Sequence, residues 1–300
     1  MKLTDIDIIC FDCETTGLDH DRDEIIEVAA VRVDIVNRHH EVLLNQLVNP
    51  EMWIPPESSG VNNITNEMVR GQPTWVDVQP LIRELLNPNM LALAHNAFFD
   101  SKFVMRGITE LEHRPLEWID TLRLVRHGWP NVSNHKLTTM IHALDIDTLD
   151  NVSEYQHLEA HRAAYDAYAT CNILCEAIEK LEINSVEDLV KVSNKPALMH
   201  NCPLFKYKDQ PWEKVPYSYL KWAHGCNFDG DLGYTVNYYL MRIEKIRHNN
   251  AKRQLLELKK TNPKQYEQYL KDEERRQKEQ EEARTKGTAR GIRNMQAQEV

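Results

Sequence analysis

The sequence predicts an α/β layered fold. Three observations predict it. Short apolar runs rich in Val, Ile and Ala follow one another closely near the N-terminus, as in an antiparallel meander. Later apolar runs alternate with helical segments, which is the pattern of helices packed on a sheet. An apolar fraction of 42% over 300 residues supplies a real core.

The elements follow in order. Residues 6–11 form a short apolar run that reads as a buried strand ending at Asp12. Alternate residues of a strand point the same way, so this strand delivers Asp12 and Glu14 to one face. Residues 25–35 and 41–48 read as the second and third strands. Pro55, Pro56 and Gly60 mark a loop, and Thr65 is an N-cap for the turn holding Met68 and Val69. Residues 74–86 are amphipathic and stop at Asn87-Pro88. A fourth strand at 90–94 delivers His95 and Asn96, and a helix at 97–105 carries Asp100 and closes at Gly107. A short fifth strand occupies 118–121, and helices occupy 136–144 and 160–181.

The domain division predicted is a catalytic domain at 1–183, a connector with one short helix at 184–202, a small aromatic and lysine-rich module at 203–240, and a charged helical tail at 241–300. Asn262-Pro263 should break the tail in two, and the last fifteen residues should fray. The net charge of −10 is unevenly spread: residues 241–300 hold 16 Lys+Arg against 10 Asp+Glu, a net of +6, which leaves −16 for residues 1–240. An acidic body with a basic tail fits a metal-loaded domain with an electrostatic arm, or a tail that joins a second copy or a protein partner. No signal peptide or membrane-length apolar stretch is read, so a cytoplasmic protein with reduced thiols is expected. Cys10 and Cys13 have CxxC spacing, but no second pair completes a zinc site, and they read as packing thiols.

Three segments carry the chemistry. Asp12 and Glu14 lie in the first, Asp100 in the second, and His161 and Asp166 in the third. Gathered together, the four carboxylates could not all stay ionised away from water without cations. Hard oxygen donors of this kind suit Mg²⁺ or Mn²⁺. His161 would stand beside the metals as a base. Such an arrangement suits hydrolysis of a phosphodiester.

The three segments resemble the motifs of the DEDDh exonucleases, the DnaQ-like branch of the ribonuclease H-like superfamily. The D-x-E-T-T-G-L form runs from Asp12 to Leu18, H-N-x-x-F-D from His95 to Asp100, and H-x-x-x-x-D from His161 to Asp166. Ile25-Ile26-Glu27-Val28-Ala29, Ile64-Thr65 and Asp120-Thr121 are secondary marks of the same family. Thr121-Leu122-Arg123-Leu124, Trp129-Pro130 and Pro196-Ala197-Leu198-Met199 are similar to its exodeoxyribonuclease X subfamily. The 203–240 module resembles the C-terminal region of that subfamily through Phe205-Lys206-Tyr207-Lys208 and Tyr219-Leu220-Lys221-Trp222. Phe205 and Asp209 stand where the relatives carry glycines, which implies a changed turn.

The resemblance implies a ribonuclease H-like exonuclease fold, with a mixed five-stranded sheet flanked by helices. It implies a 3′→5′ exodeoxyribonuclease that takes DNA with a free 3′ end and releases nucleoside 5′-monophosphates. An RNA 3′-exonuclease and a polymerase-associated proofreading subunit are the alternatives. Two divalent ions, Mg²⁺ or Mn²⁺, are implied, with Asp12 bridging them, Glu14 and Asp166 completing one sphere, and Asp100 holding the other. His161 is implied as the general base. Thr15, Thr16 and Gly17 would approach the terminal nucleotide, Leu18 would pack on its base, and Asn96 and Phe99 would complete the substrate contacts. His95 is either a substrate contact or a structural histidine at a strand end. The module is either a stacking surface with phosphate contacts or an aromatic mini-core.

Overall fold

Alternation along the strands sorts their side chains onto two faces, and each face is covered by helices. The computed structural model describes residues 1–146 and 162–296, with residues 280–296 described by backbone alone. Strands β1 (Asp7–Thr15), β2 (Ile25–Arg32) and β3 (Glu41–Leu47) are followed by helices α1 (Pro56–Asn62), α2 (Asn66–Val69) and α3 (Trp75–Leu85). Next come β4 (Met90–Ala94), α4 (Ala97–Val104), β5 (Glu117–Asp120), α5 (Thr121–Gly128), α6 (Leu137–Leu144) and α7 (Ala163–Lys180). The chain continues with α8 (Val186–Asn194), α9 (Tyr217–Gly225), α10 (Gly230–Thr261) and α11 (Pro263–Gln296).

The sheet is mixed and five-stranded, in the order β3-β2-β1-β4-β5. Strands β1, β2 and β3 pair antiparallel, whereas β4 runs parallel to both β1 and β5. On one face Ile8, Cys10, Ala29, Val31, Leu91 and Leu93 pack against α7 in one core cluster. On the other, Ile9, Phe11, Cys13, Val28 and Ala30 join Val78, Ile82, Phe103 and Val104 of α3 and α4. The alanines of α7 (Ala163, Ala164, Ala167, Ala169 and Ala177) are fully buried, and their small side chains let the helix lie close to the sheet.

Several boundaries differ from the sequence expectation. Strand β1 does not end at Asp12 but runs to Thr15, because β2 supplies partners that far: Asp12 faces Ala29 and Glu14 faces Glu27. Strand β2 stops at Arg32 rather than 35, where Asp34 accepts the amides of Val36 and Asn37 and turns the chain. The loop predicted from Pro55 to Gly60 is instead mostly helix α1 (Pro56–Asn62), with Pro56 at its first position, where the fixed φ favours a helix start. Helix α10 begins at Gly230, inside the predicted module, and α11 runs to Gln296, into the last fifteen residues expected to fray. The break between them falls at Asn262-Pro263, as proline chemistry requires.

The chain divides into two compact units, Met1–Val236 and Asn237–Val300. In the first, buried Asp231 ties the start of α10 to the α/β body: it pairs with Arg126 and with Arg123 at 3.3 Å, and accepts the Ala197 amide at 3.1 Å. The second is helical and solvated, with ion pairs one turn apart such as Asp272–Arg275 at 3.3 Å. No helix among the described residues is long and apolar enough to cross a membrane.

Candidate active site

The two-residue period of β1 places Asp12 and Glu14 on the same side as Ile8 and Cys10, the side covered by α7. Asp166 sits on the first turn of α7 and points into that space. Ligand oxygens of Asp12, Glu14 and Asp166 all lie within 4.8 Å of one another. Asp100, buried on α4, reaches the same region from the neighbouring element, and its Oδ1 accepts the Cys13 amide at 3.1 Å. Three carboxylates from β1 and α7 thus meet, and that of Asp100 on α4 lies near enough to act on Asp12 electrostatically. His161 lies outside the described residues.

Crowding these acids has a cost that their protonation records. Burial raises the Asp12 carboxyl well above its usual range, and Asp100, Asp166 and Glu14 raise it further. Burial, then Asp166 and Glu27, pushes Glu14 up to about 8. Burial pushes Asp100 to about 8 as well, although the Cys13 amide opposes the shift. At neutral pH the metal-free cluster therefore holds protons that a cation could replace, and its all-oxygen donor set fits a hard divalent cation. Asp19, His20 and Asp21 form a second close trio, but it is an exposed turn.

Glu27 positions the third segment. It is 1% exposed and accepts Arg162 Nε at 3.1 and 3.0 Å, Arg162 Nη2 at 2.5 Å and the Ala163 amide at 3.0 Å. Arg162 is the residue after His161 and the N-cap of α7, and its carbonyl accepts the Asp166 amide at 3.0 Å. The clamp therefore sets the first turn of the helix that carries Asp166. Sequence reasoning noted Glu27 without giving it this role. The available signal was a single acid inside the apolar run of residues 25–31.

The Thr15-Thr16-Gly17 turn is built by its own side chains. Thr15 and Thr16 are buried: the Thr15 hydroxyl donates to the Gly17 carbonyl at 2.5 Å, and the Thr16 hydroxyl donates to Asp23 at 3.0 Å. Backbone, not hydroxyl, is what this turn can offer a ligand. Gly17 is required by close approach, since a Cβ there would lie 2.4 Å from Asp23 Oδ2. Leu18 beyond it is 87% exposed. Across from it Phe98 is 72% exposed, and the two line a cavity of about 430 Å³ together with Phe99, Phe103 and Lys102. The sequence reading named Phe99 and not Phe98, and both line this cavity. Phe99 is half-buried and packs on Phe103 with ring centroids 4.9 Å apart.

Asn96 holds the turn between β4 and α4 at φ 80°, and its amide donates to Asp120 at 3.0 Å. His95 points inward. Its Nε2 donates to the His135 carbonyl at 2.8 Å, its Nδ1 meets the Thr121 hydroxyl at 2.9 Å, and burial pushes its pKa down to about 4. Both ring nitrogens are engaged within the protein, which is the structural alternative.

An α/β sheet whose central strand and covering helix converge three carboxylates, with a fourth acid beside them, offers an oxygen donor set that suits a hard divalent cation. The RNase_T family model, described as Exonuclease, matches residues 9–174. Exodeoxyribonuclease 10 of Escherichia coli strain K12 is 31% identical over 235 residues, spanning 76% of this chain and 96% of that protein. The PolC-type DNA polymerase III of Oceanobacillus iheyensis is 32% identical over 191 residues, 62% of this chain, and the match spans only 12% of that protein's length. Among solved structures, exonuclease X in complex with 5′ overhanging duplex DNA is similar at 25% identity and a TM-score of 0.48, covering 62% of this chain and 99% of that one. The chain belongs to the RNase_T exonuclease family.

Proposed function

We propose that the protein is a divalent-metal-dependent 3′→5′ exodeoxyribonuclease that releases nucleoside 5′-monophosphates. One observation carries this reading: the carboxylates of Asp12, Glu14 and Asp166 within 4.8 Å of one another, on a chain of the exonuclease family. Asp12, Glu14 and Asp166, with Asp100, would hold Mg²⁺ or Mn²⁺ as a two-ion site. Bound divalent ions supply Lewis acidity toward the phosphodiester and make a bound water a better nucleophile. The remaining work falls to the chain. The backbone at Thr15–Gly17 receives the terminal nucleotide, and Leu18 and Phe98 flank the cavity where its base would stack. Asn96 and Asp120 brace the turn leading to Asp100. His161 takes the proton of the attacking water, and Glu27 with Arg162 holds the first turn of the helix that carries Asp166.

A proofreading role beside a polymerase is the second reading, favoured by the PolC-type relatives. The match across 96% of Exodeoxyribonuclease 10 supports a free-standing enzyme instead.

The test is a digestion panel of single-stranded DNA, duplex DNA and RNA, labelled at either end, with Mg²⁺, Mn²⁺ or chelator. Shortening of 5′-labelled DNA in steps is expected with metal and not with chelator, and Asp12→Ala should be inactive. Full activity in chelator, or degradation from the 5′ end, overturns the reading. RNA cleaved in preference to DNA moves it to the RNA 3′-exonuclease.

A further inference from the structure

The catalytic reading leaves one part of the first compact unit unused, the aromatic and lysine-rich segment after the connector. Its sequence allows a mini-core or a stacking surface, and the side chains divide between the two. Trp212 is fully buried, with Val215, Leu220 and Ala223 also buried, so this tryptophan belongs to a small core. Phe205 is 97% exposed and Trp222 53% exposed. Tyr207, Tyr219 and Trp222 form a continuous row, with neighbouring ring centroids 4.7 and 4.8 Å apart. Lys206 Nζ lies 5.7 Å from the Tyr207 ring and Lys221 Nζ 5.9 Å from the Tyr217 ring. Between Phe205 and Trp222 the sequence places four lysines against two acids, on a body that is otherwise strongly acidic.

The surface is held firmly. The Cys202 amide donates to the Gln210 carbonyl at 2.8 Å and the Asp209 amide to the Cys202 carbonyl at 2.9 Å, closing a tight loop. Asp209 adopts φ 63°, the left-handed conformation that a glycine takes. Of the two positions where the relatives carry glycine, Asp209 has a backbone of the kind that favours glycine. Asn201 Nδ2 donates to the Ser133 carbonyl at 3.0 Å and fastens the loop to the catalytic body. A groove of about 550 Å³ is lined by Asn96, His135 and Lys136 and also by Cys202 and Asp209 of this loop. Asn96 is the residue at the edge of the carboxylate site.

Exposed rings set among lysines match one kind of ligand closely. Every base has a face that stacks on an aromatic ring, and every nucleotide brings a phosphate for an ammonium group. In a duplex the base faces are already stacked, so a single strand is the form that fits.

We propose that the surface from Phe205 to Trp222 is a second nucleic-acid site, which holds single-stranded DNA by ring stacking and lysine–phosphate contact outside the carboxylate cleft. The proposal rests on the nucleic-acid reading given under Proposed function. It adds a place for the strand that the cleft does not hold, reached along the groove from Asn96.

The test uses the full chain and a fluorescent phosphorothioate oligothymidylate of about twenty nucleotides, in chelator, with binding read by anisotropy. Phe205→Ala with Trp222→Ala should weaken binding about tenfold or more, the usual worth of a stacked base. Trp222→Phe, which keeps a ring, should stay within about threefold of wild type. Lys206→Ala with Lys221→Ala should reduce the slope of log affinity against log salt by about 1.4, the value for two phosphate contacts on a single strand. Oligonucleotide should quench tryptophan fluorescence in wild type and much less in Trp222→Phe, a readout that does not depend on the double variant folding. Wild-type affinity in the ring variants with unchanged circular dichroism, or equal quenching in Trp222→Phe, overturns the second site whether or not the protein degrades DNA. Conversely, absent turnover in the digestion panel with ring-dependent binding intact overturns the exonuclease reading alone.

Discussion

Replacing Glu27 by alanine should both loosen the fold and slow turnover. The carboxylate is 1% exposed and takes both the Arg162 guanidinium, at 2.5 to 3.1 Å, and the Ala163 amide at 3.0 Å. Breaking a buried ion pair by removing one partner costs about 3–5 kcal/mol. Arg162 keeps 21% side-chain exposure, so water recovers part of its charge, and the expected loss falls near the lower end, about 3 kcal/mol. Glu27→Gln keeps the shape and one acceptor oxygen, and should lose about 1–2 kcal/mol. The effect on rate comes through α7. Arg162 caps that helix, and its carbonyl takes the amide of Asp166. A shift of about 1 Å in the first turn would displace Asp166, and a misplacement of that size can cost about 10²-fold in rate. Urea unfolding measures the stability. Turnover should be compared at a temperature where both proteins are fully folded, alongside a titration of activity with Mg²⁺. Glu27→Ala should need more Mg²⁺ for half-maximal activity, and Glu27→Gln should recover part of that affinity. If Glu27→Ala unfolds within about 0.5 kcal/mol of wild type, or keeps its Mg²⁺ midpoint and rate, then the clamp does not position the site.

Three further outcomes are expected. Gly17→Ala forces a methyl to within 2.4 Å of Asp23 Oδ2, and that carboxylate is already held by the Thr16 hydroxyl and the Asp19 amide. The turn must shift, so KM for DNA should rise about tenfold while the melting temperature changes little, as steady-state kinetics and thermal melts would show. His161→Ala should lose about 10²–10⁴-fold in turnover and keep DNA binding, and near-normal turnover would assign the proton to another acceptor. The acids set the pH dependence of the metal-free protein: Glu14 rises from 4.5 and Asp100 from 3.8, each to about 8, so the folded state binds more protons than the unfolded state within that window. Stability should therefore fall as pH rises from about 5 to 8, and Mg²⁺ should restore it at pH 8. Thermal melts in chelator and in Mg²⁺ check this, and a flat profile in chelator would show that the carboxylates are not crowded.

Local pattern made much of the site legible. Asp12 and Glu14 interrupt an apolar run two residues apart, and the period of a strand alone puts them on one face. The apolar run at 90–94 ending in His95 and Asn96 marks β4, and Asn262-Pro263 marks the division of the C-terminal helices, because each signal is contained within a few neighbouring residues. The helix at Pro56–Asn62 was not legible, since Pro-Glu-Ser-Ser-Gly has the composition of a loop and only its setting makes it helical.

Partnership across the chain was a different matter. Glu27 and Arg162 are 135 residues apart, and nothing near either one in sequence announces the other. Asp209 and Trp222 have the same character: neither the left-handed backbone of the first nor the exposure of the second is announced by its neighbours in sequence. His95 shows the limit most plainly, since a histidine at a strand end suits a substrate or a structural bond equally well until Thr121 and His135 close on both its nitrogens. The sequence by itself determined which residues carry charge, which turns and helix stops are possible, and which side of a strand each residue takes, because those depend on covalent neighbours and backbone periodicity. Tertiary structure decided which charges meet, which rings stay exposed and which polar groups are satisfied, because burial and hydrogen bonding are properties of contacts between segments far apart in the chain.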